Sequence, residues 1–244
     1  MFTIKDFKVE LINANDVKNF MENHGKVASV CYQTDEKYAK SVGKDVLKTG
    51  HFSGSRGDYF KFKITVIPRD AVDQCTRHDV GTYKNVQSLR YVNKENLNLY
   101  CPPEVENDDE LLMIFQEMEN TARKLYSDAI KRLEALGYSG EKANEIARHL
   151  VPIGVESAFS MGFTLEALMN FMNKRLCSCA EAPIRRIAQL MKDEVIKVAP
   201  IYEPYLVPIC GRYLFCPENK KRSCGKAPVK EELLEMLKNS WQYY

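Results

Sequence analysis

Between Asp109 and Leu136 an apolar residue recurs every three or four positions: Leu111, Phe115, Met118, Ala122, Leu125, Ala129, Leu133 and Leu136. That period matches the 3.6-residue turn of an amphipathic helix, and Gly137 follows where a helix of this kind stops. The rest of the chain has to supply a layer for this helix to pack on. "DYFKFKITVIP" does so with β-prone residues in alternation (Tyr59, Lys61, Ile64, Val66) and predicts a strand. "MFTIKDFKVELI" alternates as well and predicts a first strand with a slip near Asp6. Strands interspersed with helices around one core make this an α+β chain, expected as a single domain over residues 1–244.

The remaining punctuation is local. "NANDVKNFMENHG" offers a cap and a short helix ended by Gly25, and a second helix is expected from Thr34 to Leu47. The Gly- and Ser-rich "KTGHFSGSRG" then forms a loop. A short helical segment runs from Arg69 towards Arg77, and "SLRYVNKENLNLYCPP" looks like two strand pieces closed by the double proline. A helix covers Gly140 to His149, and "ESAFSMGFT" is strand-like. Thr164 is placed to cap "LEALMNFMNKRL". Further helices are expected over Ala182–Ala199 and near Lys230–Asn239.

Composition excludes several classes. Lys and Arg total 35 against 33 acidic residues, a net charge of +2, so nothing demands a nucleic-acid partner and any anion site must be local. The basic tail "ENKKRSCGK" is most simply a solvated surface. No run approaches eighteen apolar residues, which excludes a helical membrane span, and the N-terminus lacks the apolar core of a signal peptide. A cytoplasmic, reducing location is therefore expected, with the eight cysteines as thiols. Cys177 and Cys179 are spaced C-x-C, with Cys210, Cys216 and Cys224 following. No C-x2-C or C-x4-C knuckle occurs, so no metal is expected.

Four groups of residues could carry chemistry. "TRHDVGTYKNVQSLRY", Thr76 to Tyr91, interleaves Arg, His, Asn, Gln, Ser and Arg. Arg77 and Arg90 can each fork two hydrogen bonds onto a phosphate or carboxylate, with Ser88 completing a cradle. An exposed charged turn is the plainer alternative. "GHFSGS" sets a His and two hydroxyls among glycines where backbone amides can approach a ligand, although a simple connecting loop reads the same way. "ARHLVP" ends a helix with Arg148 and His149, where cations complement the helix dipole. "LMNFMNKRL" places Asn170, Asn173 and Arg175 near a helix end, either as satisfied amides or as contacts to a nucleobase or ring carbonyl.

Together these groups resemble the flavin-dependent thymidylate synthases, whose signature is Arg-His-Arg, seven or eight residues, then Ser. Here Arg77, His78 and Asp79 are followed by eight residues and Ser88. "NVQSLRY" is similar to the family's Asn-Glu-Gln-Ser-x-Arg-Tyr, and "GHFS" to its Gly-His-x-Ser/Thr loop. "ARHLVP" resembles its Ala-Arg-x-x-Leu-Pro helix end, and "LMNFMNKRL" its Leu-x-x-Phe-x-x-Leu-Arg helix. The matches fall in family order from about Gly50 to Arg185.

The resemblance implies a twisted, mainly antiparallel sheet flanked by helices, and a homotetramer with shared active sites. It implies FAD as cofactor, NADPH and 5,10-methylenetetrahydrofolate as co-substrates, and dUMP as the methyl acceptor, with no enzyme cysteine attacking the ring. By position, Gln74, Arg77, Ser88, Leu89, Arg90 and Arg148 would hold dUMP. His51, Ser53, Arg77, His78, Asp79, Val86, Thr164 and Asn170 would lie along FAD, and Arg175 would activate the uracil. Another one-carbon transfer such as hydroxymethylation, or a non-catalytic nucleotide- or RNA-binding relative, would use the same scaffold.

Three departures stand out. Asp79 replaces the second Arg of the signature, Val86 replaces an acidic residue, and Arg56–Gly57 stand where the family often has Glu-His. Like charges about 4 Å apart at an effective dielectric near 20 repel by on the order of 4 kcal/mol. Asp79 therefore either pairs with a cation such as Lys84, or the cofactor is held differently.

Overall fold

A computed structural model describes residues 1–241 and the side chains of residues 1–238. Strand β1 is Lys8–Leu11, followed by helices α1 (Ala14–Val17), α2 (Phe20–Tyr32) and α3 (Ala39–Lys48). Strand β2 is Phe60–Pro68, and α4 is Arg69–Thr76. Then come β3 (Thr82–Val86), α5 (Pro103–Glu106), α6 (Asp109–Ala135) and α7 (Gly140–Ala147). β4 is Glu156–Phe163, and α8 (Leu165–Arg175), α9 (Ala182–Val198), α10 (Ile209–Tyr213) and α11 (Lys230–Trp241) complete the chain. The strands form one antiparallel sheet in the order β1-β2-β4-β3, with helices flanking it, so the α+β expectation holds. Among the described residues no helix is long and apolar enough to cross a membrane.

Contacts divide the chain into two compact units. The first comprises Met1–Val9, Lys63–Arg77 and Lys84–Met161; the second comprises Glu10–Phe62, His78–Tyr83 and the described residues from Gly162 onward. In the first unit, Tyr126 and Ile130 of α6 pack with Ala143 and Ala147 of α7. Ala122 packs with Leu97, Leu99 and Val155. In the second, Phe60 meets Phe20 and Tyr202 edge-on, with ring centroids 5.2 and 5.1 Å apart.

The structure corrects several expectations. Gly25 does not end a helix: α2 runs through it to Tyr32. A Cβ at Gly25 would lie 1.6 Å from the carbonyl oxygen of Ala39, and one at Gly43 would lie 1.8 Å from that of Met21. These two glycines let the backbones of α2 and α3 touch. The first strand begins only at Lys8, because Asp6 turns the chain by accepting a hydrogen bond from the Thr3 amide at 2.8 Å. The pieces expected around Leu97–Cys101 amount to isolated bridges, and the short strand β3 was not anticipated.

Helix α6 starts at Asp109 as expected, with the Asp108 side chain accepting from the amides of Glu110 and Leu111. Its inward face, however, is Glu119, Ala122, Tyr126 and Ile130, and Leu111, Met118, Leu125 and Leu136 are exposed. Arg123 explains how an acid sits on that face. It pairs with the Glu119 carboxylate while its Nε donates to the Leu97 carbonyl at 2.7 Å.

β2 departs from simple alternation. Phe60, Phe62 and Ile64 are buried, as period two requires, but the next fully buried side chain is Ile67. The inward row is thus Phe60, Phe62 and Ile64, and it slips by one residue to Ile67. Val66 makes the slip with φ of +56°, a left-handed conformation that is costly for a β-branched residue.

Candidate active site

In the second unit, α8 is the organising element. Thr164 caps it, its Oγ1 accepting from the Ala167 amide at 3.3 Å, as the sequence predicts. The Thr164 amide in turn donates to the Gly81 carbonyl at 2.9 Å, which fastens the turn 78–83 onto the start of the helix. Gly81 is required there. Its φ is +70°, and a Cβ would lie 2.6 Å from Thr164 Oγ1. Within the turn, Thr82 Oγ1 donates to the His78 carbonyl at 2.6 Å and to that of Asp79 at 3.1 Å. Asp79 itself is exposed.

From this turn the His78 ring reaches along α8. It packs edge-on against Phe171, with centroids 4.8 Å apart, and its Nε2 accepts from Arg175 Nε at 3.0 Å. The loop carrying His51 and Ser53, both exposed, is also tied to α8: Arg56 Nε donates to Glu166 Oε2 at 2.8 Å. The departure at Arg56 thus has a partner in the first turn of that helix. His51, Ser53, His78, Asp79, Thr164 and Asn170 therefore lie on α8 or on two segments bonded to it, and Asn170 is exposed. Asn173, three residues on, is the buried amide: it is 6% exposed, and its Oδ1 has no hydrogen-bond partner. The sequence singles out both amides as satisfied amides or ring contacts, and family position assigns only Asn170 to the flavin. Only burial separates the two.

In the first unit, the residues after β3 turn around Ser88, whose Oγ accepts from the Arg90 amide at 3.3 Å. The segment is anchored by the Gln87 amide donating to the Ala158 carbonyl at 3.0 Å, and by Arg69 Nη1 donating to the Gln87 carbonyl at 3.1 Å. Val86, Ser88 and Leu89 are half-buried. Arg90 is held twice. Its guanidinium pairs with Glu141 and lies 3.3 Å from Glu145, and its carbonyl accepts from Asn144 Nδ2 at 3.2 Å. Asn144 Oδ1 is itself fixed by the Tyr126 hydroxyl at 3.2 Å.

Arg148 lies one turn beyond Glu145 and also acts on its carboxylate. The Lys142 ammonium, through its hydrogen bond and then its charge, holds Glu145 below the usual carboxylate range, and Arg90 and Arg148 add to this. Two expected phosphate ligands, Arg90 and Arg148, thus share α7 as their support. Arg77 caps α4 and is exposed, and Gln74 is half-buried on the same helix. Lys84 Nζ donates to the Thr76 carbonyl at 2.6 Å near that helix end. Arg90 Nε and Gln87 Oε1 are buried without hydrogen-bond partners, a donor and an acceptor on one short segment.

The first unit presents guanidinium donors, and the second presents hydroxyl and amide groups around α8, both of them group types that anionic, hydrogen-bonding ligands require. The chain belongs to the family described as thymidylate synthase complementing protein, whose model matches residues 11–201. It is 32% identical to the flavin-dependent thymidylate synthase of Clostridium tetani over 222 residues, covering 82% of this chain and 86% of that one. It is 28% identical to the enzyme of the same name from Nitratidesulfovibrio vulgaris, covering 77% of this chain and 76% of the relative. Among solved structures it is similar to the UMP/dUMP methylase PolB from Streptomyces cacaoi bound with 5-Br dUMP. The TM-score is 0.62 at 17% identity, over 84% of this chain and 96% of that one, a likeness of fold. The family indicated by four short motifs is the family whose model matches residues 11–201.

Proposed function

We propose that this protein is a flavin-dependent thymidylate synthase, a methyltransferase that converts dUMP to dTMP with methylenetetrahydrofolate and NADPH. The observation that carries the reading is the bond between His78 and Arg175. Family position assigns the first to the flavin and the second to the substrate ring, and in this chain the two side chains share a hydrogen bond.

The residues present fit both ligands. A phosphate dianion suits forked guanidiniums, and Arg90 has a buried Nε donor to spare. Arg77, Arg90 and Arg148, with Ser88, Gln74 and Leu89, would hold dUMP. FAD suits the exposed donors His51, Ser53 and Asn170, with His78, Asp79, Thr164, Val86 and Arg77 beside it. When bound, FAD supplies the redox chemistry, so no strongly tuned nucleophile is needed. Arg175 would stabilise negative charge developing on the pyrimidine edge, and His78 would fix the direction in which its guanidinium points.

A homotetramer is supported by the outward face of α6, where Leu111, Ile114, Met118 and Leu125 stand exposed at helical spacing. Light scattering should give four chains per particle. Eight cysteines, all free thiols, support a reducing, cytoplasmic location, and a net charge of +2 gives nucleic acid no general hold. The deciding experiment is dTMP formation from dUMP with FAD, NADPH and methylenetetrahydrofolate, with UMP run in parallel. Flavin absorbance after reconstitution with excess FAD should accompany it. A colourless, inactive but folded protein would overturn the reading.

A further inference from the structure

Five of the eight cysteines line one cleft of about 550 Å³ in the second unit: Cys177, Cys179, Cys210, Cys216 and Cys224. They come from separate segments, namely the loop just after α8, helix α10, and the loop that follows it. Three of them lie beyond residue 201, where the family match ends. We propose that this cleft is a zinc site, with Cys177, Cys210, Cys216 and Cys224 as four thiolate ligands.

The tail is built to present two of these thiols together. Cys216 forms a parallel bridge with Val229, and its amide donates to the Pro228 carbonyl at 2.7 Å, so the loop between them is closed at its base. Cys224 sits inside that loop and is followed by Gly225 at φ of +75°. This left-handed residue turns the chain so that the Lys226 amide and the Ser178 hydroxyl both meet the Cys224 sulfur. A hydroxyl and a backbone amide aimed at a sulfur in this way suit a thiolate. Cys179 is the odd thiol out, because its Sγ donates to the Arg222 carbonyl at 3.3 Å. That leaves four, the number a closed tetrahedral site takes.

Charge and polarity agree. Four thiolates around a divalent ion leave two net negative charges, and Arg185, Arg222 and Lys226 line the same cleft to offset them. Asn173 also lines the cleft. Among the described residues no three ligating side chains already stand close enough to hold a metal, so the thiols must rotate inward to close on the ion. One-dimensional spacing hides such a site, because the ligands are brought together by the fold and not by a knuckle. A zinc here would staple the tail to the end of α8, directly beside Arg175.

The test is metal content of the full chain after reconstitution with zinc sulfate and dialysis, with cobalt(II) as a spectroscopic probe. Wild type and Cys179→Ser should each keep one zinc per chain, as a closed four-thiolate site requires, and show thiolate-to-cobalt charge-transfer absorption. Cys216→Ser and Cys224→Ser should bind at least about tenfold more weakly, since even outer partners of a metal site are worth that much. Because those variants could misfold, the thiols of wild type should also be counted with a disulfide reagent. Zinc should protect four of them. Wild type that retains no zinc, a Cys224→Ser variant that retains it fully, or thiol counts unaffected by zinc would each overturn the proposal. These readouts do not depend on flavin or on turnover, so they stand or fall apart from the proposed activity.

Discussion

Arg175 Nε donates to His78 Nε2 at 3.0 Å, while the same imidazole packs against Phe171 in a T-shaped pair with centroids 4.8 Å apart. An accepting Nε2 carries no proton, so the ring is in its Nδ1–H form and serves as a fixed anchor for the guanidinium. Lysine has no equivalent of Nε and loses the planar fork. Arg175→Lys should therefore reduce turnover by about a hundredfold or more, the scale of one preorganised electrostatic donor, with little change in dUMP binding. His78→Ala should lower turnover in the same direction, and His78→Gln, which keeps an acceptor, should recover part of it. Steady-state kinetics with separate kcat and KM check this. Arg175→Lys within about threefold of wild type, below 1 kcal/mol of barrier, would remove Arg175 from the role.

Arg90 should behave differently. Its guanidinium is already oriented by Glu141 and Glu145, and its Nε is buried with no partner. Loss of a charge-assisted hydrogen bond costs about 1.5–3 kcal/mol, so Arg90→Ala should weaken dUMP binding by roughly 10- to 150-fold. Calorimetric titration with dUMP measures it directly. Deoxyuridine, which lacks the phosphate, should bind both proteins alike.

Gly25 and Gly43 set the separation of α2 and α3. A methyl at Gly25 would fall 1.6 Å from a backbone oxygen, which no side-chain rotation can relieve. Gly25→Ala should thus destabilise the fold by about 3 kcal/mol or more, towards the exceptional end for a single substitution. A chemical-denaturation midpoint reads the loss. Gly57→Ala, where a Cβ meets nothing within 4 Å, is the control.

His24 gives the fold a pH dependence. It is 3% exposed, and burial lowers its pKa from 6.5 to about 4. Asp58 lies 3.5 Å away, and burial raises its carboxyl above 3.8. Between pH 6.5 and 4 the unfolded chain binds a proton at this histidine that the folded chain refuses. The stabilisation is therefore fully present above pH 6.5 and is lost as pH falls towards 4, by up to on the order of 3 kcal/mol. Asp58 acts in the opposite sense just above pH 3.8, so the effect is cleanest in the upper part of the window. Denaturation at several pH values should show a slope in wild type that is much reduced in His24→Gln.

Much of this was legible in the sequence, and the failures have physical causes. Thr164 as a cap and the span of α6 follow from local rules, which concern only hydrogen bonds and periodicity within a few residues. Which side of α6 faces inward does not, because the helix is apolar on more than one side and only the fold chooses Tyr126 and Ile130 over Met118 and Leu125. β3 escaped notice because Thr82, Lys84 and Val86 form a half-buried row without a run of apolar residues. The residues around Arg90 were legible by type, but its acids at Glu141 and Glu145 lie some fifty positions away. Gly25 misled for a related reason: a glycine that permits close approach looks the same in one dimension as one that ends a helix.

Val66 decides how change can enter β2 over evolutionary time. Its left-handed φ puts one extra residue between Ile64 and Ile67, so both isoleucines point inward despite their odd spacing. Glycine could take the place of Val66 without disturbing either neighbour, since the conformation suits it. Deleting Thr65 or Val66 would leave Ile64 and Ile67 two positions apart, so regular alternation would still point both inward and no left-handed residue would be needed. The strand therefore has slack at this point, and relatives that share the fold should vary here by loss of the extra residue as well as by substitution.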